Sequence, residues 1–396
     1  MGAGLRASVG KPVRESDVKI ALVVPGGVDR TGEYRVIPAL LALIERLART
    51  HELHVFALHQ EKRAGSWQLL GATVHNIGDK GTRLRAVKAV RDEHLRAPFD
   101  MVHAIFSGSC SFVAVAAAKL LRLPSLVHIA GGELVALHDI GYGGRRTWKG
   151  RLREAVILRM ADGVTAASSP IVESLRVLGI KASRVPLGVD LRAWPPVAPR
   201  PRRTAEAKLV HVASLNRVKD QPTLLRALAT LANMGVAFRM DIVGVDTLQG
   251  EMHRLVAELG LMPYVRFLGF KTQQELCPIL ASADVLVMSS LHEAGPLVAL
   301  EAAALGVPTV GTAVGHLAEW SPRAALAVPV GDWKALADAI HKVVTDEACR
   351  QQLAERAQRR AIVEDADYTA RSFEALYKKC RARRYTEGDS SAARTT

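Results

Sequence analysis

The sequence predicts an α/β protein built from two doubly wound parallel-sheet domains. Three observations carry this expectation. Short apolar strands alternate with helical patterns through the first half of the 396 residues, and the scheme then starts again in the second half. The strands read as near-continuous runs of Val, Leu, Ile and Ala, which suits parallel strands covered on both faces. Between the halves, residues 193–203 read AWPPVAPRPRR, with four prolines in 195–201. Such a run makes a stiff, extended connector and a natural domain boundary.

Taken in order, the expected strands of the first half are Lys19–Val24, Leu53–Ala57, Met101–Ala104, Ser125–Ile129 and Gly163–Ala166. Each is short and apolar, as buried strands are. Val36–Arg49, Thr82–Arg96 and Phe112–Leu121 carry the helical pattern between them. The second half gives strands Leu209–Ala213, Phe238–Val243, Val265–Leu268, Val285–Met288, Thr309–Val310 and Ala325–Val328. Helices Thr223–Leu231, Gly250–Leu259 and Trp333–Thr345 separate them. The expected domains are therefore residues 1–195 and 206–365, with a polar tail over 383–396. Doubly wound sheets bind ligands outside the carboxyl ends of their strands.

Composition narrows the class. Hydrophobic residues make up 49% of the chain and no Cys-rich or low-complexity bias appears, which is the composition of a globular protein. Cys110, Cys277, Cys349 and Cys380 are scattered without a C-x-x-C pair, so neither a disulfide framework nor a zinc site is suggested, and a reducing cytoplasm is expected. Met1 to Lys19 is polar and charged, unlike a secretory signal. Apolar runs such as Phe112–Ala118 are too short to span a bilayer. The net charge of +14 is uneven: residues 1–200 carry +12 and residues 201–396 carry +2. A basic first half points to an anionic partner.

The most informative stretch is residues 289–319, SSLHEAGPLVALEAAALGVPTVGTAVGHLAE. Glu293 and Glu301 lie eight residues apart, separated by Gly295-Pro296 and an apolar run. Pro296 suits the first turn of a helix. Gly306 can close that helix before a strand at Val307–Val310. Glu293 then sits in the loop before a helix N-terminus and Glu301 in the second turn, roughly 7 Å further along. The first turn, Leu297 to Leu300, has no acidic side chain. Its free N–H groups are open to an outside anion. The layout suits a phosphate with a hydroxyl-bearing group on each side, as in a nucleotide-sugar.

Two other ligand classes lose ground in the first half. The loop Gly26-Gly27-Val28-Asp29-Arg30-Thr31-Gly32-Glu33 follows a strand but is not G-x-G-x-x-G, and Gly27-x4-Gly32 is followed by Glu33 where a P-loop has Lys. The second strand ends in His59-Gln60, where a dinucleotide enzyme has an acidic residue. Aromatic residues are only 5% of the chain and do not interleave with the basic runs, so nucleic-acid stacking is not expected.

Residues 289–319, with Glu293 and Glu301 in E-x7-E spacing, resemble the donor-binding signature of the retaining glycosyltransferases of family 4. The resemblance covers nearly the whole chain to about residue 380. It is strongest over 209–330 and weakest over 60–100. It implies the GT-B architecture: an acceptor-side domain and a donor-binding domain facing across a cleft, with a last helix, about 366–382, crossing back to the first domain. It implies Glu293 on the sugar hydroxyls, Glu301 on the ribose, and Gly295, Pro296 and Leu297 at the phosphates. Lys219 falls on the family's diphosphate-binding Lys, while Ser214 stands where the family has Arg, leaving Arg217 as a displaced candidate. Glu319 matches a Glu near the nucleotide. In the first domain Gly26, Gly27, Gly131, Gly132 and Glu133 match cleft residues. The family's catalytic His has become Ala130, and His128, two residues earlier, is either its substitute or a core histidine. Leu187-Gly188-Val189-Asp190 resembles the family's Asn-Gly-Val-Asp and reads as a structural turn.

The sequence is thus read as a cytoplasmic, peripheral-membrane glycosyltransferase. It would move a sugar, with retention, from a nucleotide diphosphate to a hydroxyl acceptor such as a lipid-linked or polysaccharide precursor. Neither a metal nor another cofactor is expected. The helix with Lys80, Arg83, Arg85, Lys88, Arg91 and Arg96, and the cluster Arg145–Arg153, are expected to face an anionic membrane. A nucleotide-sugar epimerase or a phosphorylase of the same fold is the nearest alternative. A non-enzymatic binder of anionic surfaces or nucleic acid is the alternative of another class.

Overall fold

The computed structural model describes residues 18–392, with side chains through Arg381. The polar start of the chain and residues 393–396 lie outside the described residues. The first sheet contains β1 (Lys19–Val24), β2 (Glu52–Ala57), β3 (Gly65–Leu69), β4 (Ala72–Asn76), β5 (Met101–Ile105), β6 (Ser125–Ile129), β7 (Gly163–Ala166) and β8 (Ser183–Arg184). They lie in the order β3-β4-β2-β1-β5-β6-β7-β8. All pairs are parallel except the β3–β4 hairpin. The helices between them are α1 (Pro38–Leu47), α2 (Thr82–Arg96), α3 (Ser109–Leu121), α4 (Trp148–Met160) and α5 (Ser169–Val177).

The second sheet holds β9 (Ala207–Val212), β10 (Phe238–Val243), β11 (Val265–Gly269), β12 (Val285–Met288), β13 (Thr309–Thr312) and β14 (Leu326–Val328), ordered β11-β10-β9-β12-β13-β14 and wholly parallel. Its helices are α6 (Gln221–Asn233), α7 (Glu251–Glu258), α8 (Gln273–Ser282), α9 (Leu297–Ala304), α10 (Gly315–Trp320), α11 (Trp333–Thr345) and α12 (Glu347–Val363). The last described element is α13 (Ala366–Ala392).

The period of two along each strand builds a core on both faces of each sheet. In β1, Ala21 and Val23 pack with Ala86, Val90, Val113 and Ala117 of α2 and α3. Ile20, Leu22 and Val24 pack with Leu40, Leu43 and Leu47 of α1 and with Phe373 and Tyr377 of α13. In β9, Leu209 faces α6 and α11 while Val210 faces Leu300, Ala303 and Ala357 of α9 and α12.

α13 docks on the first domain by polar contacts as well as apolar ones. Tyr377 Oη lies 2.8 Å from His103 Nδ1. Arg46 of α1 reaches Asp367 at 2.6 Å and Asp190 at 3.0 Å. Thr369 Oγ1 accepts from Gly188 N at 2.8 Å. The turn 187–190 is therefore a structural junction. The segment 383–392, expected as a tail, continues the helix.

The hairpin β3–β4 is absent from the sequence-based assignment. Its tight turn is Leu70-Gly71, with φ of 51° and 87°. A primed two-residue turn normally announces itself by Asn or Asp at the first position, and Leu70 conceals it. Helices α4, α5, α8, α10 and α12 and the two-residue β8 are also absent from that assignment, and several strand and helix ends are displaced by one to three residues.

Candidate active site

β9 and β12 are neighbours in the second sheet, and the strand order reverses between them. This is the topological switch point, where a doubly wound sheet opens a crevice at its carboxyl end. Two loops meet there, 213–220 after β9 and 289–296 after β12. Leu291 N donates to Val218 O at 2.8 Å, and Ser289 Oγ donates to Lys219 O at 2.8 Å. Thr312 Oγ1 donates to Ser290 O at 2.6 Å and fixes the second loop to β13.

Lys219 and Glu293 converge in this crevice. Lys219 Nζ lies 2.5 Å from Glu293 Oε1. Ser290 Oγ donates to the same oxygen at 2.7 Å. The Lys219 backbone is set by a 3-10 turn, capped by Asn216 Oδ1 accepting from Lys219 N at 3.2 Å. An ammonium and a carboxylate are thus held at one point, with the N-terminus of α9 directly after the loop. Pro296 is the cap of α9, in extended conformation, rather than its first helical residue. Leu297 opens the helix, and no acidic residue lies in its first turn.

Glu301 occupies the one partly open stripe of α9. Ala299, Leu300 and Ala302–Ala304 are buried, whereas Leu297, Val298 and Glu301 are not. Among the described residues, the Glu301 carboxyl has no hydrogen-bond or ion-pair partner. Enclosure without a partner disfavours its charged form, and burial raises its pKa to about 7.

Gly295 allows the loop 289–296 to touch the first domain. A Cβ there would lie 3.0 Å from His316 Nε2 and 3.1 Å from Ala167 Cβ. Ala294 packs into the first domain's core, and His292 Nε2 lies 3.2 Å from Gly131 O. The loop carrying Glu293 is therefore seated against residues 129–133 across the cleft.

The first domain presents two glycine loops to that seat. In the loop after β1, Gly27 has φ of 79°, and a Cβ on it would lie 2.5 Å from Ile37. Gly26 lies against buried Gln60. Gln60 Oε1 accepts from Val28 N at 2.9 Å. Gln60 thus clamps the loop from the position where a dinucleotide enzyme has its acidic residue. After β6, Gly131 and Gly132 lead to Glu133. Its carboxylate accepts from Gly131 N at 2.7 Å and Ser107 N at 2.9 Å. Burial raises the Glu133 pKa against the pull of these donors. Glu133 therefore ties the loop after β5 to the loop after β6.

Three expected site residues lie elsewhere. His128 is wholly buried on the face of β6 covered by α13. Its Nδ1 is 2.9 Å from Thr165 Oγ1, and its ring meets Phe373 edge-on at 5.3 Å. Burial lowers its pKa to about 3. It is a core histidine and cannot replace a catalytic one at Ala130, because the strand's direction aims it away from the cleft. Arg217 shares the loop of Lys219, but its guanidinium makes a two-pronged pair with Glu251 at 2.8 and 2.7 Å. It points to the start of α7 and not to Glu293.

Glu319 also has a structural partner set. It pairs with Arg184 at 2.9 Å and accepts from Ser169 N at the first turn of α5. A carboxylate from the second domain thereby caps a helix of the first. Arg184 also grips Glu364 at 2.6 Å. The three side chains form a latch between the domains. Ser290, His292 and Gln60 were not singled out from sequence. Ser290 and His292 lie next to the motif, and a carboxylate in need of a donor was the available signal.

Comparison with known proteins follows this geometry. A family model described as Glycosyl transferases group 1 matches residues 198–360, and one described as Glycosyl transferase 4-like domain matches residues 36–189. Glycogen synthase of Mycobacterium tuberculosis is 28% identical over 328 residues, covering 81% of this chain and 76% of that protein. D-inositol 3-phosphate glycosyltransferase of Corynebacterium urealyticum is 33% identical over 209 residues, about half of each chain. Among solved structures, Anabaena HepE in complex with UDP and glucose superposes with a TM-score of 0.70 at 17% identity, over 91% of this chain and 100% of that one. Sucrose-phosphate synthase of Thermosynechococcus elongatus gives 0.74 at 19% identity, over 92% and 99%. The two family models together cover residues 36–189 and 198–360, most of both domains, so this chain belongs to the family-4 type of group 1 glycosyltransferases and is an enzyme of the GT-B fold.

Proposed function

We propose that the enzyme transfers a sugar, with retention of anomeric configuration, from a nucleoside diphosphate donor to a hydroxyl acceptor. The observation that carries this reading is the convergence of Lys219, Ser290 and Glu293 at the switch point, directly before the N-terminus of α9. The departing diphosphate needs positive charge where its own negative charge develops. Lys219 and the free N–H groups of Gly295, Leu297 and Val298 supply it. The ammonium is fixed beside Glu293 and Ser290, next to the helix N-terminus. Glu293 and Ser290 offer a carboxylate and a hydroxyl to the sugar, and Glu301 offers its unpartnered carboxyl to the ribose hydroxyls. No metal enters this scheme, because Lys219 and the helix N-terminus occupy the place a divalent ion would serve.

The acceptor side supports a hydroxyl compound presented at an anionic membrane. α4 carries Trp148, Leu152, Val156 and Met160 at successive four-residue steps, with exposures of 63, 58, 47 and 45%. Lys149, Arg151, Arg153 and Arg159 flank this stripe and are exposed. An apolar face beside basic side chains suits insertion at the headgroup level of anionic lipid. Arg145 is not part of that surface. It turns inward, 3.7 Å from Glu154. Among the described residues no helix is long and apolar enough to cross a membrane; the contact in this reading is peripheral, at the cytoplasmic face.

The test is a panel of nucleoside diphosphate sugars in thermal-shift and transfer assays, followed by proton NMR of the product anomer. One donor should stabilise the protein by about 2.7 kcal/mol at 100 times its Kd, and the product should keep the donor's configuration. Inversion would contradict the mechanism, and stabilisation by no nucleotide would contradict the donor site.

A further inference from the structure

His54 of β2, His75 of β4 and Glu93 of α2 lie on the flank of the first sheet covered by α2, away from the glycine loops at the strands' carboxyl ends. Their ligand atoms all fall within 4.8 Å of one another. His54 Nδ1 and His75 Nε2 are 3.0 Å apart, and His54 Nδ1 is 3.8 Å from Glu93 Oε1. In a tetrahedral site with metal–ligand bonds of about 2.0–2.1 Å, neighbouring donor atoms stand about 3.3 Å apart. The two observed separations bracket that spacing.

The outer ring nitrogens carry a second argument. His54 Nε2 is 3.1 Å from Glu52 Oε1, and His75 Nδ1 is 3.3 Å from Ser66 Oγ. A histidine that binds a metal through one nitrogen usually has the other fixed by a carboxylate or another hydrogen-bonding group. Both rings here have that arrangement, with their inner nitrogens turned to each other. The rings are near coplanar, at 11°, so each must turn modestly for its lone pair to reach a shared ion. Lys19 Nζ completes the surroundings, 2.9 Å from Glu52 and 4.0 Å from Glu93.

We propose that His54, His75 and Glu93 bind one divalent transition-metal ion of the zinc type, at a site separate from the transfer cleft. Two imidazoles and one carboxylate select zinc, cobalt or nickel over magnesium or calcium, which favour all-oxygen sets. The ion joins β2, the β3–β4 hairpin and α2, so its effect is on the stability of that sheet edge.

The experiment uses the full chain, free of any histidine tag and stripped with chelator. Zinc is titrated by calorimetry, with magnesium as the comparison, and cobalt is followed by its visible absorption. The expected result is one saturable equivalent of zinc, a raised unfolding midpoint, and cobalt bands of a nitrogen- and oxygen-ligated ion. His75→Ala and Glu93→Gln should each weaken zinc binding at least tenfold and leave sugar transfer at saturating donor unchanged. Replacing the partly exposed Cys277 and Cys349 by Ser should leave binding intact. Glu93→Gln, at a partly buried helix position, carries the test if His75→Ala fails to fold. Binding that is absent, equal for magnesium, or unchanged in Glu93→Gln overturns the proposal.

Discussion

Replacing Glu301 by Gln should make the unliganded enzyme more stable and less able to hold its donor, and the stability gain should depend on pH. Burial raises the Glu301 pKa from the ordinary 4.5 to about 7. Between these values the folded chain keeps a proton that the unfolded chain has released. Stability therefore falls as pH rises from about 4.5 to about 7, and the loss is complete above that range. At 1.36 kcal/mol per pKa unit, the cost of the buried charge is at most about 3 kcal/mol. Glu301 is only partly buried, so a value nearer 1–2 kcal/mol is expected. Gln is the uncharged isostere and removes that cost. Glu301→Gln should match the parent in stability near pH 5 and exceed it by several degrees in unfolding midpoint at pH 8. In the same variant, calorimetry should show donor affinity lower by about 1–3 kcal/mol, because a charge-assisted bond to a hydroxyl is lost. Glu154, which burial also places at about 7, titrates equally in both proteins and cancels from the difference. A stability difference that is constant from pH 5 to pH 8 would refute the burial argument. Full donor affinity in Glu301→Gln would refute the assignment to the donor.

Lys219→Ala should weaken nucleoside diphosphate binding tenfold or more while leaving nucleoside binding within twofold, since only the phosphates meet the ammonium. Equal losses for both ligands would show a misfolded loop instead. Arg184→Ala removes the partner shared by Glu319 and Glu364 and should destabilise by about 2 kcal/mol, since two partly buried carboxylates lose their cation. An unchanged denaturation midpoint would show that the latch contributes nothing. Reversing Arg146, Lys149 and Arg151 to Glu should abolish binding to anionic vesicles and spare donor hydrolysis, and Trp148→Ser should weaken docking at high salt as well as low. Equal binding of the parent to neutral and anionic vesicles would remove the electrostatic part of the argument. Excess EDTA should lower the unfolding midpoint without stopping transfer, and strict dependence of transfer on a divalent ion would contradict the metal-free mechanism.

Much of this architecture could be read from the chain because burial on both faces leaves a plain mark. β6, β7, β10 and β12 have the boundaries the sequence suggests, and β12 is an unbroken apolar run. The hairpin β3–β4 is an edge element with alternating exposure, and its Leu70-Gly71 turn lacks the usual residue. The meeting of Lys219 and Glu293 was legible because chemistry and spacing coincide there. Other residues were not legible where a partner far along the chain decides the role. Glu319 is claimed by Arg184, 135 residues away, and Arg217 by Glu251, 34 residues away. For His128 the outcome turned on which face of β6 α13 covers, and nothing in the local sequence reports that.

The return of α13 to the first sheet also bears on how the chain is made. Phe373 and Tyr377 share a core with Ile20, Leu22 and Leu126, and His103 takes its partner from Tyr377. Part of one face of the first domain, beside α1, therefore stays uncovered until α13 has left the ribosome. After residue 189 is synthesised, about 190 more residues must follow, roughly 10–40 s at ordinary rates. The second domain has its entire sheet by Val328 and can close first. The usual order, in which the amino-terminal domain is finished before its successor, is reversed here. A chain stopped at residue 365 would carry a complete second domain joined to a first domain with an open apolar patch, a substrate for chaperones and not for catalysis.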